Sequence, residues 1–287
     1  FKGFVSSPDL PVVCEKSQPI GPSGRKIDAM QAAFFDLDKT VIAKSSTLAF
    51  GKPFYKAGFV GRRALMKMGF AQIFYLLFGA DEDQLERARD QMLMLTAGWH
   101  RAEIEQLVEQ TIDEVADPLV YAEALTLIDQ HKRDGCKVYI VSASPEQIVR
   151  PLGRHIGVTD FIATKVKTDA AGFFLNELDF YAMGEGKVEA INGLAEKEGI
   201  DLAESYAYSD SATDLPMMEM VGNPVAVNPD RELRKVAEER DWPILEFERQ
   251  VSLRTRIPTP NPWWSGAPVA GVAAAVAAAI LLRKRDL

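Results

Sequence analysis

The stretch FFDLDKT, residues 34–40, places Asp36 and Asp38 one residue apart directly after an apolar run. Carboxylates this close repel each other, and an unpaired buried charge costs free energy. A helix N-cap would explain one of these acids but not both. A positive charge between them favours their ionised forms, so the pattern indicates a cation site rather than a feature that stabilises the fold.

Further polar side chains follow other apolar runs. Ser142 follows KVYIV, Lys187 begins a helical pattern, and Asp210 follows YAYS, with Asp214 four residues on. The carboxyl ends of parallel strands meet at the edge of the sheet where open α/β folds bind ligands. Several carboxylates at that edge need a hard cation, and Mg²⁺ held together with a substrate phosphate fits best. Taken singly, each residue has an ordinary structural explanation, but the complete ordered set favours a site.

The elements that must position these residues are short buried strands. Apolar runs near Phe34, Ile140, Tyr206 and Val225 predict a parallel sheet, and helical patterns separate the later runs. The sequence therefore predicts an α/β fold with a doubly wound parallel sheet. Residues 161–180 alternate around a glycine-containing turn and predict a hairpin projecting from the sheet.

A long insertion separates the first two strands. Residues 44–125 are too many for one crossover helix, and their patterns are helical. We therefore expect an inserted α-helical cap at 44–125, above the carboxyl ends of a Rossmann-like catalytic core formed by residues 31–43 and 126–248.

Both ends of the chain differ from this core. Residues 1–30 predict a flexible arm, residues 249–267 a proline-rich linker, and residues 268–287 a hydrophobic C-terminal helix that anchors the protein in a membrane.

The membrane interpretation rests on residues 263–282, which lack charge and as a helix would span about 30 Å. Tryptophans at one end and Arg283 to Arg285 at the other match interface anchors. The alternative is an alanine-rich helix packed on the protein, because alanine is weakly apolar and Pro268 interrupts the span.

The complete set of motifs resembles the haloacid dehalogenase superfamily, specifically its phosphoserine-phosphatase-like branch with a helical cap, over roughly residues 30 to 245. The resemblance implies that Asp36 is the nucleophile and forms an aspartyl-phosphate. It implies that Asp38 is the general acid and base. It also implies that Mg²⁺ is held by the Asp36 carboxylate, the main-chain carbonyl of Asp38, and Asp210.

The same resemblance assigns the remaining residues. Thr40, Ser142 and Lys187 would bind the transferring phosphoryl oxygens. Asp214 would orient Lys187 or the waters of the metal.

Two departures from the family pattern bear on the substrate. The family's fourth motif usually reads GDxxND, whereas here it is SDSATD, with Ser209 for glycine and Thr213 for asparagine. In phosphoserine phosphatases, a glutamate nine residues after the nucleophile binds the ammonium group of the substrate. In this chain, Ser45 occupies that position. An unpaired ammonium in a closed pocket is costly, which disfavours phosphoserine.

The cap composition offers another substrate. Between residues 44 and 80 there are six basic residues and no acid, followed within this range by the apolar run MGFAQIFYLLFG. This segment could lie on anionic lipid. Alternatively, it is cap core, and the basic residues steer a small anionic substrate.

We expect a Mg²⁺-dependent phosphomonoesterase that is membrane-associated through its basic, apolar cap and C-terminal helix and acts on a lipid phosphate such as lysophosphatidate. Some members of this branch are fused to lysophospholipid acyltransferases, and similar tail-anchored chains occur in actinobacteria. The alternatives are a phosphoserine phosphatase or another small phosphate monoesterase, and a non-catalytic membrane-tethered regulatory module. Such a module should have lost a catalytic group, and none is missing.

Whole-chain composition narrows partners and location. A net charge of −8 argues against nucleic acid as the general partner, because phosphate backbones select basic surfaces. The two cysteines, Cys14 and Cys136, lie far apart and suit a reducing compartment. We therefore expect the catalytic domain to be cytoplasmic.

Overall fold

A computed structural model describes residues 30–61 and 82–250 of the chain. The predicted arm up to residue 29, the cap residues 62–81, and the linker and C-terminal helix from residue 251 onward lie outside the described residues. Within the described ranges, no helix has the length and apolar character needed to cross a bilayer.

Seven strands form one sheet in the order β4-β3-β2-β1-β5-β6-β7, with every neighbouring pair parallel except β3 and β4. Their bounds are β1 Ala32–Asp36, β2 Lys137–Pro145, β3 Asp160–Thr168, β4 Phe174–Phe180, β5 Tyr206–Ser209, β6 Asn223–Val227 and β7 Ile244–Leu245. All four predicted runs form strands, and the predicted doubly wound α/β class is confirmed.

The central strand β1 is buried along its whole length, as expected for a parallel strand covered on both faces. Phe34 stacks on Tyr139 of β2 with ring centroids 5.4 Å apart, and Phe35 stacks on Tyr208 of β5 at 4.3 Å. These aromatic pairs fix β1 between its two neighbours, so Asp36 ends the strand in the middle of the sheet.

The predicted hairpin consists of β3 and β4, which pair antiparallel. The first half of β3, up to Thr164, pairs with β2, and the second half pairs with β4. The hairpin therefore belongs to the sheet at its base and extends past the carboxyl end of β2 at its tip.

Nine helices are present in the described part of the chain. They are α1 Ser46–Ala49, α2 Gly51–Lys56, α3 Glu82–Thr96, α4 Arg101–Val115, α5 Ala122–Arg133, α6 Glu146–His155, α7 Glu185–Glu198, α8 Leu215–Glu219 and α9 Arg231–Glu239. The first five lie between β1 and β2 in sequence, and the first four of these fall within the insertion predicted to be helical.

The inserted helix α4 packs against the core helix α6. Ile104, Val108 and Ile112 recur at four-residue spacing along α4 and are its buried side chains. This spacing forms one apolar stripe on the helix, as expected for a helix with one packed face. The stripe holds α4 close to the carboxyl edge of the sheet, because α6 begins directly after β2.

Helix α7 begins in close contact with the chain that leaves β4. A Cβ atom added at Gly186 would lie 2.0 Å from the main-chain oxygen of Tyr181, well inside van der Waals contact. Only glycine permits this approach without moving the backbone. Because Lys187 is the next residue, the contact sets the position of the lysine predicted to bind phosphate.

We expect Gly186→Ala to lower the free energy of unfolding by about 1–3 kcal/mol, because the added methyl group must displace backbone. Gly193→Ala is a matched control on the same helix, where an added Cβ meets nothing within 4 Å. It should raise stability by about 0.5–1 kcal/mol, because glycine is a poor helix residue. Urea unfolding measures both changes, and equal shifts in the two variants would refute the close-contact argument.

Candidate active site

The predicted acids meet at the carboxyl edge of the sheet. Asp36 is the last residue of β1, and Asp210 directly follows β5. A cavity of about 190 Å³ brings together six of the seven predicted site residues in its wall: Asp36, Asp38, Ser142, Lys187, Asp210 and Asp214. Thr40, the seventh, is buried, and its Oγ1 has no hydrogen-bond partner among the described residues.

Lys187 links two of these acids in the protein interior. Its side chain is almost fully buried, with 2% of the residue exposed. Lys187 Nζ lies 2.9 Å from Asp36 Oδ1 and 2.7 Å from Asp214 Oδ1. Ser209 Oγ donates a hydrogen bond to Asp214 Oδ2 at 2.7 Å, so the serine that replaces the family's glycine holds Asp214 in place.

The pKa values in the cavity reflect burial and an excess of negative charge. Burial raises the pKa of Asp36 well above its usual value, and neighbouring carboxylates add to this effect while Lys187 opposes it. Burial likewise raises the pKa of Asp210 to about 7, with the Lys39 ammonium acting in the opposite direction. The pKa of Lys187 is itself raised, because Asp214 and Asp36 outweigh the opposing effect of burial.

Asp38 is held from two sides. Its Oδ1 accepts a hydrogen bond from the Ser46 main-chain N–H at 2.7 Å, and its Oδ2 accepts one from Ser144 Oγ at 3.1 Å. Ser46 belongs to the inserted helix α1, whereas Ser144 belongs to the core strand β2. Burial raises the pKa of Asp38 despite these bonds, and a raised carboxyl pKa suits proton transfer near neutral pH.

The loop that carries Asp210 is fixed by Asp230, which begins α9. The main-chain N–H of Asp230 donates to the Asp210 carbonyl at 2.7 Å. Its carboxylate accepts hydrogen bonds from the main-chain N–H groups of Ala212 and Leu233, at 3.0 and 2.8 Å. One residue therefore caps a helix and shapes the acidic loop.

Sequence reasoning missed Ser46, Ser144 and Asp230. A signal existed for Ser144, which lies two residues after Ser142 on one strand and therefore on the same face. For Asp230, the signal was an acid before a helical pattern, which indicates an N-cap but not a contact with Asp210.

The donor set can hold a small divalent cation. No group of three or more acidic, histidine or cysteine side chains in residues 30–61 and 82–250 is arranged to hold a metal. The predicted set needs only two carboxylates, Asp36 and Asp210, and one main-chain carbonyl, because Mg²⁺ keeps water and phosphate among its ligands. Four carboxylates face two ammonium groups around this cavity, Lys187 and Lys39, so an added positive charge would offset repulsion.

The structure also shows the position at which phosphoserine phosphatases carry the glutamate that binds the substrate ammonium. Ser45, which stands at that position, lines the catalytic cavity together with Ser211 and Thr213. Thr213 replaces the family's asparagine, and its Oγ1 lies 3.1 Å from Ser211 Oγ. These three residues therefore offer hydroxyl groups to the cavity and no carboxylate.

Comparison with known proteins agrees with this arrangement. Residues 33–219 match the family model of haloacid dehalogenase-like hydrolases. A probable phosphatase of Mycobacterium tuberculosis is 50% identical over 246 residues, which cover 86% of this chain and 85% of that protein. Because the match extends over most of both chains, the similarity includes the insertion as well as the core.

Two solved structures share the fold. A protein of unknown function from Bordetella pertussis is 27% identical, with a TM-score of 0.66 over 76% of this chain and 98% of that one. A phosphoserine phosphatase solved as a phospho-aspartyl intermediate analogue gives a TM-score of 0.55 over 80% of this chain and 100% of that one, at 16% identity. The fold is thus shared with a solved phosphoserine phosphatase, and the family match together with the 50% identical relative shows that the chain belongs to the haloacid dehalogenase-like hydrolase family.

Proposed function

We propose that this phosphatase hydrolyses phosphate monoesters through an aspartyl-phosphate on Asp36, with Mg²⁺ as cofactor. We further propose that it works at a membrane on a lipid phosphate such as lysophosphatidate. The observation that carries the reaction is the buried contact of 2.9 Å between Lys187 Nζ and Asp36 Oδ1. It places a cation beside the carboxylate that would attack phosphorus. The same cation would lie beside the phosphoryl oxygens, on which negative charge would develop.

In the proposed first step, an Asp36 carboxylate oxygen forms a bond to phosphorus while the bond between phosphorus and the leaving oxygen breaks. Asp38 gives its proton to that oxygen, and the alcohol departs. In the second step, Asp38 takes a proton from water, the hydroxide attacks phosphorus, and Asp36 is released as a carboxylate. The two hydrogen bonds to the Asp38 carboxylate support this role because they fix its orientation.

The transferring phosphoryl group would be bound by Lys187, Ser142 and Thr40. Lys187 and Ser142 line the cavity. Thr40 has a buried hydroxyl without a partner among the described residues, and a buried unpaired polar group costs about 1–3 kcal/mol. A phosphoryl oxygen that accepts its hydrogen bond would remove this cost.

Mg²⁺ would be held by the carboxylates of Asp36 and Asp210 and the carbonyl of Asp38. When bound, it neutralises the charge of the phosphoryl group. Burial and neighbouring carboxylates raise the pKa values of Asp36 and Asp210, and a bound cation would favour the ionised form of both, which supports this assignment.

A basic groove supports the membrane proposal. It has a volume of about 730 Å³ and shares Lys39 and Ser45 with the catalytic cavity. Its charged residues are four lysines and one acid (Lys39, Lys44, Lys52, Lys56 and Glu114), and its apolar lining residues include Leu48, Pro53 and Leu119. A groove lined by both basic and apolar side chains suits an anionic lipid surface.

The wall of the catalytic cavity argues against phosphoserine as the substrate. Ser45 offers no carboxylate at the position where phosphoserine phosphatases carry a glutamate, so a substrate ammonium would lack that partner. The non-catalytic alternative is also disfavoured, since nucleophile, proton donor and lysine share one cavity. The C-terminal helix lies outside the described residues, and the anchor it would provide stays a prediction.

Asp36→Asn should lower kcat by at least about a thousandfold, because an amide cannot attack phosphorus. The fold should remain, since Lys187 keeps its contact with Asp214. Phosphate release from p-nitrophenyl phosphate measures the loss, and Asp160→Asn, the same change at an exposed position, is the control. A rate within tenfold of wild type would exclude the aspartyl-phosphate route.

Removing divalent cations with EDTA should abolish phosphate release, and Mg²⁺ added in excess of the chelator should restore it. The circular dichroism spectrum should not change, because the strands and helices around the site do not depend on the ion. Full activity in EDTA would contradict the metal assignment.

Replacing Lys52 and Lys56 together with glutamate should lower the rate on lysophosphatidate in anionic vesicles by about tenfold or more, because each lysine contributes about 1 kcal/mol of attraction. The rate on p-nitrophenyl phosphate should stay near that of wild type. Replacing Lys197 of α7 and Lys235 of α9 together with glutamate, at two exposed positions, is the charge-matched control. Equal losses on both substrates would argue against a lipid-facing groove.

A further inference from the structure

A second cavity lies next to the catalytic cavity, and Ala143 lines both. Its volume is about 210 Å³. The wall is largely apolar and draws on the inserted segment, β4 and α6, with Phe54, Leu93, Trp99, Ile148, Phe174 and Leu178 among its residues. Such a wall admits the apolar part of a ligand and disfavours an ammonium group, which would lose its hydration there and meet the Arg89 guanidinium that also lines the cavity.

One polar atom in this wall has no partner. Gln147 is 2% exposed, and its Nε2 donates to Glu146 Oε1 at 3.4 Å, but its Oε1 accepts no hydrogen bond from the described residues. Two other polar groups of the wall are satisfied, because the hydroxyls of Thr96 and Thr164 donate to main-chain carbonyls at 3.0 and 2.7 Å. A buried acceptor without a donor is costly, and a ligand that donates to Gln147 would remove that cost.

A short chain of contacts connects this cavity to the proton donor. Thr47, which lines the cavity, has its Oγ1 3.3 Å from Ser144 Oγ. Ser144 Oγ in turn donates to Asp38 Oδ2 at 3.1 Å. The hydroxyl group of Ser144 therefore connects the wall of this cavity to the Asp38 carboxyl group, which would protonate the leaving oxygen.

We propose that this cavity binds the alcohol part of the substrate, and that this alcohol is an apolar chain or ring bearing one hydroxyl or N–H group that donates to Gln147 Oε1. This inference rests on the proposed phosphatase function and names its substrate class. Because the wall is apolar apart from the Arg89 guanidinium and a few neutral polar groups, alcohols that carry an ammonium at this position are excluded.

The volume limits what the cavity can enclose. An apolar cavity of about 150 Å³ holds one benzene molecule, so this one encloses about eight carbon atoms. The rest of a longer chain would extend beyond it. A monoacyl glycerol phosphate offers both a chain and a free hydroxyl close to the phosphate, whereas a diacyl glycerol phosphate lacks that hydroxyl. The cavity therefore favours monoacyl over diacyl substrates.

The first test measures kcat/KM for n-alkyl phosphates from ethyl to dodecyl with Mg²⁺ present. We expect a rise of about fourfold for each added methylene, which levels off near about eight carbons. Leu93→Trp should flatten this rise by filling the cavity. Met94→Trp, the next residue of α3 and 66% exposed, should keep the profile of wild type. Val166→Phe, at another position in the wall, replaces Leu93→Trp if that variant does not fold.

The second test compares 2-hydroxyoctyl phosphate with octyl phosphate. Wild type should prefer the hydroxylated ester by about fivefold, as expected for one net hydrogen bond. Gln147→Leu should lose this preference and favour the plain alkyl ester, because the wall is then entirely apolar at this point.

The outcomes separate the two proposals. If no ester is hydrolysed, not even ethyl phosphate, the phosphatase function itself is wrong for this site. If ethyl phosphate is hydrolysed but kcat/KM of wild type does not depend on chain length, or if Leu93→Trp and Met94→Trp give the same profile, the cavity does not bind the alcohol.

Discussion

The site depends on one buried ammonium group that must be shared by two carboxylates. Lys187 is 2% exposed, and an uncompensated charge at that depth would cost several kcal/mol. Its partners come from the end of β1 and from the turn after β5, while the lysine comes from the first turn of α7. The central strands and this helix must therefore keep their register, because displacing any one of them leaves a charge without its partner. The aromatic stacks that fix β1 and the close contact at Gly186 serve this requirement.

Around this ion pair, neutral groups orient the acids, and a further ammonium, that of Lys39, lies 3.7 Å from Asp210 Oδ2. Ser209 binds Asp214, Ser144 binds Asp38, and the main chain of Asp230 binds the carbonyl of Asp210. Neutral donors orient a carboxylate without cancelling its charge. The cavity thus keeps an excess of negative charge in a fixed geometry, and these carboxylates can bind a divalent cation.

Much of the fold followed from the sequence, because strands buried on both faces appear as continuous apolar runs and because the acids directly follow them. The supporting residues could not be found in this way, since a serine after a strand or an aspartate before a helix has many ordinary roles and its partner is distant in sequence. Helix α6 is a second example. It contains Pro151 and Gly153, which argue against a helix, yet Ile148, Val149 and Leu152 are buried, and tertiary packing outweighs the local preference. The unsatisfied Gln147 lies on the same helix and has no sequence signature.

The hydrogen bonds of Asp38 connect two parts of the molecule that are far apart in the chain. One carboxylate oxygen is bound by the start of the inserted helices and the other by the core strand β2. A relative shift of these parts by one ångström would change the length of at least one of the two bonds. Misplacement of this size can reduce a rate about a hundredfold. Under the proposed mechanism, proton transfer by Asp38 would therefore depend on how the insertion sits on the core, and this carboxylate would couple enclosure of the substrate to the chemistry.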